Sequence, residues 1–292
     1  MGKKILLTGT NGFIGRNLEE NWRGKYNIIC PKKDEINLLD TENVINYIEN
    51  NSFDIIIHVA NINNTRNAFT SSYESLDGNL RMFFNLECCK KSYDKMFYFG
   101  SGAEFDMRYY IPEMKENYFG RHVPKDPYGF SKYIMSKVSG EQNNIYDLRL
   151  FGVYGKYEEW ERRFISNAIC RVLLGKNITI QKNVYFDYLW VDDLCKIMEW
   201  FINNEPKHKH YNVCKGEKID LYSLACLIRE TLNVDCDIIV GEPGWKSEYT
   251  GNNDRLLNEI GDFNFSGYKE TIKELYGYYK SNLDMIDGDK LI

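Results

Sequence analysis

The sequence predicts an α/β protein, a doubly wound parallel sheet with a smaller, interleaved C-terminal lobe. Three observations carry this expectation. The chain opens on a strand, a glycine turn and a helix in that order. The run Ile55-Ile56-Ile57 is apolar on both faces, as a strand inside a parallel sheet requires. Further strand-like runs then alternate with stretches whose apolar residues recur at helical spacing.

The 292 residues make one large or two modest domains, and 43% hydrophobic and 15% aromatic residues supply a full core. A formal charge of −5 argues against a nucleic-acid partner. No run reaches the roughly 20 apolar residues that span a bilayer. The apolar run after Lys3 and Lys4 is too short for a signal peptide. The eight cysteines include no Cys-x-x-Cys, so free thiols in a reduced cytoplasm are expected, with no metal site.

Lys3 to Thr8 reads as the first strand. It breaks at Gly9, and Gly12 and Gly15 follow at every third residue. Phe13, Ile14 and Leu18 then face one side of a helix, with Arg16, Asn17, Glu19 and Glu20 opposite. Backbone N–H groups at such a helix start point at an anion, and glycine lets a pyrophosphate approach. The spacing differs from the commonest dinucleotide fingerprint, but its strand-to-helix context fits a dinucleotide site; the plainer reading is a tight glycine turn. A second strand, Tyr26 to Cys30, ends without the acid that would meet a ribose 2′-hydroxyl. Lys32 and Lys33 follow, which favours the 2′-phosphate of NADP(H) over NAD(H). Asp34 and Glu35 come next, so a solvated turn remains the alternative.

Thr41 to Asn50 is expected to be helical, with Thr41 as cap. Phe53 to Ala60 is a buried strand whose His58 is a packed, hydrogen-bonded residue. Asn61 to Ser72 is a polar loop placed to lie over a cofactor, and Tyr73 to Lys91 a helix. The strand Lys95 to Gly102 puts Ser101 at its carboxyl end, where open parallel sheets bind ligands. Pro127 opens the next helix, on which Tyr128 and Lys132 share a face. The same spacing recurs at Tyr133/Lys137, Tyr211/Lys215 and Tyr276/Lys280. Only Tyr128 opens the helix that follows the serine-tipped strand.

With these residues in view, the chain resembles the extended short-chain dehydrogenase/reductases, of Rossmann type. The resemblance runs through Thr8–Gly15, Asp54–Ala60, Asn79, Ser101, Tyr128/Lys132, Arg149–Gly155 and Phe186–Leu194. Asp34–Asp40 and Phe99–Ser101 look most like the GDP-L-fucose synthase-like 4-reductases of that family. It implies a dinucleotide lined by Gly9, Asn11, Gly12, Phe13, Ile14, Gly15, Lys32, Lys33, Asn37, Leu38, Ala60 and Lys132. It also implies Tyr128 as acid/base, Lys132 lowering the phenol's pKa and holding the nicotinamide ribose, and Ser101 hydrogen-bonding the reacting oxygen. A strand-end cap is the bland role for Ser101.

Departures narrow the reaction. Dehydratases of the family carry an Asp-Glu pair after the active hydroxyl residue; here stand Gly102 and Ala103. The epimerising cysteine and histidine of the 4-reductases fall on Ala103 and near Arg163, which cannot do that work. Reduction without epimerisation is expected. Glu104 is a candidate substrate contact and substitute acid, although a partly exposed loop carboxylate is the plainer reading, and His122 is a second outsider.

The dinucleotide domain is expected over 1–150, with 185–205 returning to it, and the substrate lobe over 151–292. Glu159–Leu174, Leu194–Asn203, Leu221–Leu232 and Lys269–Leu283 read as helices, Asn177–Gln181 and Tyr185–Val191 as strands. Pro243–Leu257 reads as a polar loop resembling the family's nucleotide-gripping stretch, with Arg255 as a diphosphate clamp. The family's usual arginine before Asp187 is Phe186, for which Lys156 or Arg163 would compensate. The tail, Asp284 to Ile292, reads as disordered. The expected partners are a nucleotide-linked sugar and, from the resemblance, a second copy of the chain. The expected function is NADPH-dependent reduction of a nucleotide-activated 4-keto-6-deoxy sugar for surface polysaccharide. An NAD-dependent 4-epimerase and a non-catalytic dinucleotide sensor are the alternatives.

Overall fold

The computed structural model describes residues 2–62 and 72–292. In order come β1 (Lys4–Thr8), α1 (Phe13–Trp22), β2 (Asn27–Ile29), α2 (Thr41–Asn51), β3 (Ile55–His58), α3 (Ser72–Glu87), β4 (Lys95–Ser101), α4 (Pro127–Gly140) and β5 (Ile145–Leu150). The chain continues through β6 (Gly152–Tyr154), α5 (Phe164–Leu173), β7 (Ile178–Asn183), β8 (Tyr185–Trp190), α6 (Val191–Asn203) and β9 (His210–Val213). It ends with β10 (Lys218–Asp220), α7 (Leu221–Leu232), β11 (Ile238–Trp245), α8 (Asp254–Ile260) and α9 (Tyr268–Ser281).

The main sheet is parallel, in the order β2-β1-β3-β4-β5-β9. The apolar inner runs Ile5–Leu7, Ile55–Ile57 and Met96–Phe99 are buried on both faces. On one face Leu18 and Trp22 of α1 pack with Leu194, Ile197, Met198 and Phe201 of α6. On the other, Val44 and Ile48 of α2 pack with Phe83, Leu86 and Met135 of α3 and α4. The strand order reverses at β1, which has β2 on one side and β3 on the other. That switch point is where open α/β sheets bind ligands. A second core, formed by α5, α7 and α9 with β7 and β8, makes the smaller lobe.

Several expectations are corrected. Asn17 is buried, because its amide donates to the carbonyls of Phe13 and Lys156 at 2.8 and 2.9 Å. The cap of α2 is Asp40, which accepts from Asn43 N, while Thr41 donates to Asn85. The helix read from Glu159 begins at Phe164, with Arg163 at its N-cap. Within Pro243–Leu257 lie the end of β11 and the start of α8. The return to the main sheet is made by β9 as well as α6. The tail is packed: Ile286 is 8% exposed, Ile292 N donates to Glu161 O, and Lys176 reaches Gly288 O. Of the loop read over Asn61–Ser72, residues 63–71 lie outside the described residues.

Ile286→Ala is expected to cost about 2 kcal/mol in urea denaturation, as a buried aliphatic chain does; an unchanged midpoint would mean the tail is not held. Gly277, inside α9 with open space where a Cβ would stand, gives the opposite expectation. Gly277→Ala should stabilise by about 0.5–1 kcal/mol.

Candidate active site

The glycine turn connects β1 to α1 at the switch point. Gly9 has φ +76°, and a Cβ there would stand 2.5 Å from the backbone N of Ala60, just past β3. A Cβ on Gly15 would stand 2.3 Å from Gly9 O, so helix and strand touch backbone to backbone. Gly12 caps α1 without a side-chain hydrogen bond, which leaves the first-turn N–H groups open to an anion. Asn11 is exposed, Phe13 and Ile14 are half-buried, and Ala60 lies alongside. This cradle fits a dinucleotide pyrophosphate. Lys32 and Lys33 are exposed after β2, and neither makes an ion pair among the described residues. Asn37 receives Leu39 N on its side chain, and Leu38 O receives the Asn85 amide, which fixes the turn before α2.

Ser101 ends β4. Its backbone N–H donates to Glu104 Oε1 at 2.9 Å and its hydroxyl accepts from Ala103 N at 3.2 Å, a capping box over the turn Gly102–Phe105. The strand-end cap is therefore present at the carboxyl end of β4. Asp126 caps α4 by accepting from Gly129 N at 2.7 Å. A Cβ on Gly129 would meet Ala103 O at 2.7 Å, so the first turn of α4 rests on the Ser101 turn. The Ser101 hydroxyl is near enough to the Tyr128 phenol to draw its pKa down. Burial raises the Tyr128 pKa, opposed by Ser101 and by the positive charge of Arg163. Burial thus favours the neutral phenol.

Lys132, a turn later, donates to Phe99 O at 2.9 Å and is 5% exposed. Burial lowers its pKa to about 8, with Glu104 and Asp147 pulling it back up. Burial is the largest influence on the Tyr128 pKa and raises it, with Ser101 and Arg163 as the leading opposing groups. His58 accepts or donates with Thr8 Oγ1 at 3.0 Å. Burial, then Lys132, pushes its pKa down to about 3, so it is a neutral packed residue as expected.

Glu104 is wholly buried, not a partly exposed loop carboxylate, and its oxygens are taken up inside the protein. Arg149 Nε lies 2.6 Å from Glu104 Oε2 and 3.1 Å from Asp147 Oδ2. Ser136 Oγ donates to Asp147 at 2.8 Å and accepts from Arg149 at 2.7 Å. Burial and then Asp147 push the Glu104 carboxyl up to about 8, against Arg149 and the Ser101 N–H. Its assignment as a substrate contact is therefore replaced by a place beneath the site.

Arg163 faces Tyr128 and is loosely paired with Glu159 at 4.0 Å, its side chain 55% exposed. Arg255 is not brought to this group. It donates to His210 O at the amino end of β9, away from the carboxyl ends where Ser101 stands, and lies 3.9 Å from Glu116. The diphosphate-clamp role does not survive that position. His122 is stacked on Tyr109 at 4.0 Å, and the Lys156 carbonyl is tied to Asn17.

One site residue escaped the sequence. Tyr249 is joined to β8 by its N–H to Tyr185 O at 2.9 Å. Burial raises its pKa, and the Ser101 hydroxyl draws it down. A Cβ on Gly102 would stand 2.7 Å from the Tyr249 hydroxyl oxygen and 2.8 Å from the Phe151 ring. Phe186, where a cation is usual, packs instead on Tyr188 and Tyr249.

A glycine cradle at the switch point of a parallel sheet, facing a serine, tyrosine and lysine at the strand ends, defines an extended short-chain dehydrogenase/reductase. The chain belongs to the NAD dependent epimerase/dehydratase family, whose model matches residues 5–214, and is an enzyme of that type. It is 26% identical to a putative UDP-glucose 4-epimerase of Methanocaldococcus jannaschii, over 95% of this chain and 99% of that protein. It is 26% identical to the GDP-L-colitose synthase of Yersinia pseudotuberculosis, over 73% and 77% of the two chains. A GDP-L-fucose synthetase from Naegleria fowleri bound to NADP has the same fold, with a TM-score of 0.81 at 16% identity over 97% and 94% of the two chains.

Gly9→Ala forces a side chain into the left-handed region, at about 1–2 kcal/mol, and against the Ala60 backbone. Dinucleotide affinity, read by fluorescence titration, should fall at least about tenfold, while Gly277→Ala leaves it unchanged.

Proposed function

We propose that the chain is an NADPH-dependent reductase of the 4-keto group of a nucleotide-activated 4-keto-6-deoxy sugar, acting without ring epimerisation. The observation that carries this reading is the first turn of α4, which bears Tyr128, resting on the turn after Ser101, where Gly102 and Ala103 exchange no proton. A dinucleotide held by the Gly9–Gly15 turn would supply the hydride. Tyr128 donates its proton to the carbonyl oxygen as that oxygen gains charge, and the Ser101 hydroxyl donates a hydrogen bond to the same atom. A phenol whose pKa is raised by burial holds this proton through neutral pH, which suits the reductive direction.

Dehydration needs an acid and a base after Ser101. Gly102 has no room for a side chain between Tyr249 and Phe151, and Ala103 carries none that titrates. Arg163, the exposed cation on this face, is the group to meet a substrate phosphate, in place of the arginine that Phe186 replaces. Lys32 and Lys33 favour NADPH by attracting its 2′-phosphate.

A 4-epimerase with tightly held NAD⁺ is the second reading, favoured by the similarity to a 4-epimerase over nearly the whole chain. The two part on what leaves the column with the purified protein: NAD(H) in equal amount supports the epimerase, its absence the reductase. GDP-, CDP-, UDP- and dTDP-linked 4-keto-6-deoxy sugars offered with NADPH should include one that consumes it at 340 nm. In D₂O the product should carry no deuterium at ring carbons beside the carbonyl; incorporation there defeats the claim that epimerisation is absent.

Tyr128→Phe should lower turnover about 10²–10⁴-fold with dinucleotide binding intact. Ser101→Ala should lower it about 10²–10³-fold. Because Ser101 holds the phenol pKa down, its loss should also move the alkaline limb of the reduction rate to higher pH. A limb that stays put would detach Ser101 from Tyr128.

A further inference from the structure

We infer that Asn167 is a positioning residue for Arg163, and that with Arg171 and the tail residues Leu291 and Ile292 it fixes the loop that offers Arg163 to a substrate phosphate. This role rests on the reading of Arg163 as the cation that meets such a phosphate. It extends that reading to residues remote from the reacting groups.

The geometry converges on one carbonyl. Glu161 O accepts from the Asn167 side-chain amide at 2.7 Å and from Ile292 N at 3.1 Å, so both of its lone pairs are used. Arg171 joins the two donors, giving Nε to Asn167 Oδ1 at 2.8 Å and Nη2 to Leu291 O at 3.4 Å. Loop, helix α5 and tail therefore close a ring in which each holds the other two. The Asn167 backbone N–H also donates to Arg163 O at 2.8 Å. One residue thus grips the loop at Glu161 and again at Arg163. The loop turns on itself as well, with Arg162 N and Arg163 N both donating to Glu159 O.

Asparagine suits this place for a physical reason. Asn167 is 5% exposed, and a buried amide needs partners for both its donor and its acceptor. It turns its N–H₂ to the Glu161 carbonyl and its oxygen to the Arg171 guanidinium. Reversed, oxygen would face oxygen and donor would face donor. An aspartate there has the same size and keeps the acceptor, but loses the donor that holds Glu161. The tail that completes the ring is itself anchored, since Ile286 is buried in the second core and Leu291 packs against it. Trp160 and Phe164, on either side of the loop, join the same core.

The head of Arg163 is held in another way. Its side chain is exposed, with only the loose 4.0 Å pairing to Glu159. Its charge draws down the pKa of Tyr128, Tyr188 and Tyr249. The strand that leads into the loop, β6, begins beside Phe151, whose ring lies against Gly102 next to Ser101. A fixed backbone under a free guanidinium suits capture of an anion. The side chain can leave Glu159 for a phosphate, while the backbone beneath it is ordered before the substrate arrives.

Hydrogen exchange read by mass spectrometry, with no sugar present, tests the anchoring. The amides of Arg162 and Arg163 should exchange about tenfold or more faster in Asn167→Asp, and also in Ile286→Ala, which loosens the tail. Ile292→Ala keeps its backbone N–H and alters only an exposed side chain, so it should leave the loop unchanged. Loop exchange that stays put in both of the first two variants overturns the inference, whatever the substrate. Calorimetry with GDP, CDP, UDP and dTDP as probes tests the link to Arg163. The tightest binder of the four should bind about three- to tenfold more weakly to Asn167→Asp, with NADPH affinity kept. In an Arg163→Ala background the same substitution should add nothing. An equal loss in that background makes Asn167 a merely structural residue and overturns the inference. Asn167→Ala carries the same expectations if Asn167→Asp does not fold. Should none of the four nucleotides bind, the reading of Arg163 falls and this role with it; should one bind and Asn167→Asp change nothing, this role falls alone.

Discussion

Backbone touching backbone is the constraint on which the site depends. Gly15 rests on Gly9, Gly9 on Ala60, and the first turn of α4 at Gly129 on Ala103, each closer than a Cβ would permit. The first two bring α1 against the ends of β1 and β3 and form the anion cradle. The third brings Tyr128 over the end of β4. No side-chain interaction could hold these elements so near, because any side chain would separate them. The reactive groups inherit their positions from contacts that contain no functional group.

Beneath that arrangement lies a cluster that ordinary stability reasoning would not favour. Buried ion pairs seldom stabilise more than a well-packed apolar replacement, whereas losing one partner costs about 3–5 kcal/mol. The Arg149 cluster is instead placed where its field matters. It sits behind Ser101 and one residue from the carbonyl that Lys132 holds. The rings of Phe105 and Phe119 lie over the guanidinium at 5.1 and 4.5 Å and close it off from water. A dry surround strengthens each charge's effect on its neighbours.

What could be read from the sequence was whatever a short window determines. The strand, turn and helix around Gly9–Gly15 leave a local pattern, because the backbone itself requires glycine there. Tyr128 and Lys132 were legible because helical spacing and chain order act together. Features made by tertiary meeting were not. Asn17 looked solvent-facing until two carbonyls, one from Lys156, took its amide. Glu104 carries the charge of a surface residue, and only Arg149 on another strand buries it. Tyr249 is one tyrosine of 22, in a stretch that reads as polar loop. Arg255 had the right chemistry for a phosphate but the wrong end of β9. The tail lacks a strong pattern and is held by Ile286 in the second core and by hydrogen bonds to residues distant in the chain.

Tyr249 is joined to β8 and Ser101 ends β4 of the main sheet, and the Tyr249 hydroxyl comes against the Ser101 turn at Gly102 only when both halves are folded against each other. The cradle at Gly9–Gly15 has no such requirement, since every group in it comes from the first sixty residues. Loosening of the lobe by heat, denaturant or a protease would therefore silence the chemistry while leaving coenzyme retention largely whole. Catalysis and coenzyme affinity are two separable thermometers, one for each half of the molecule.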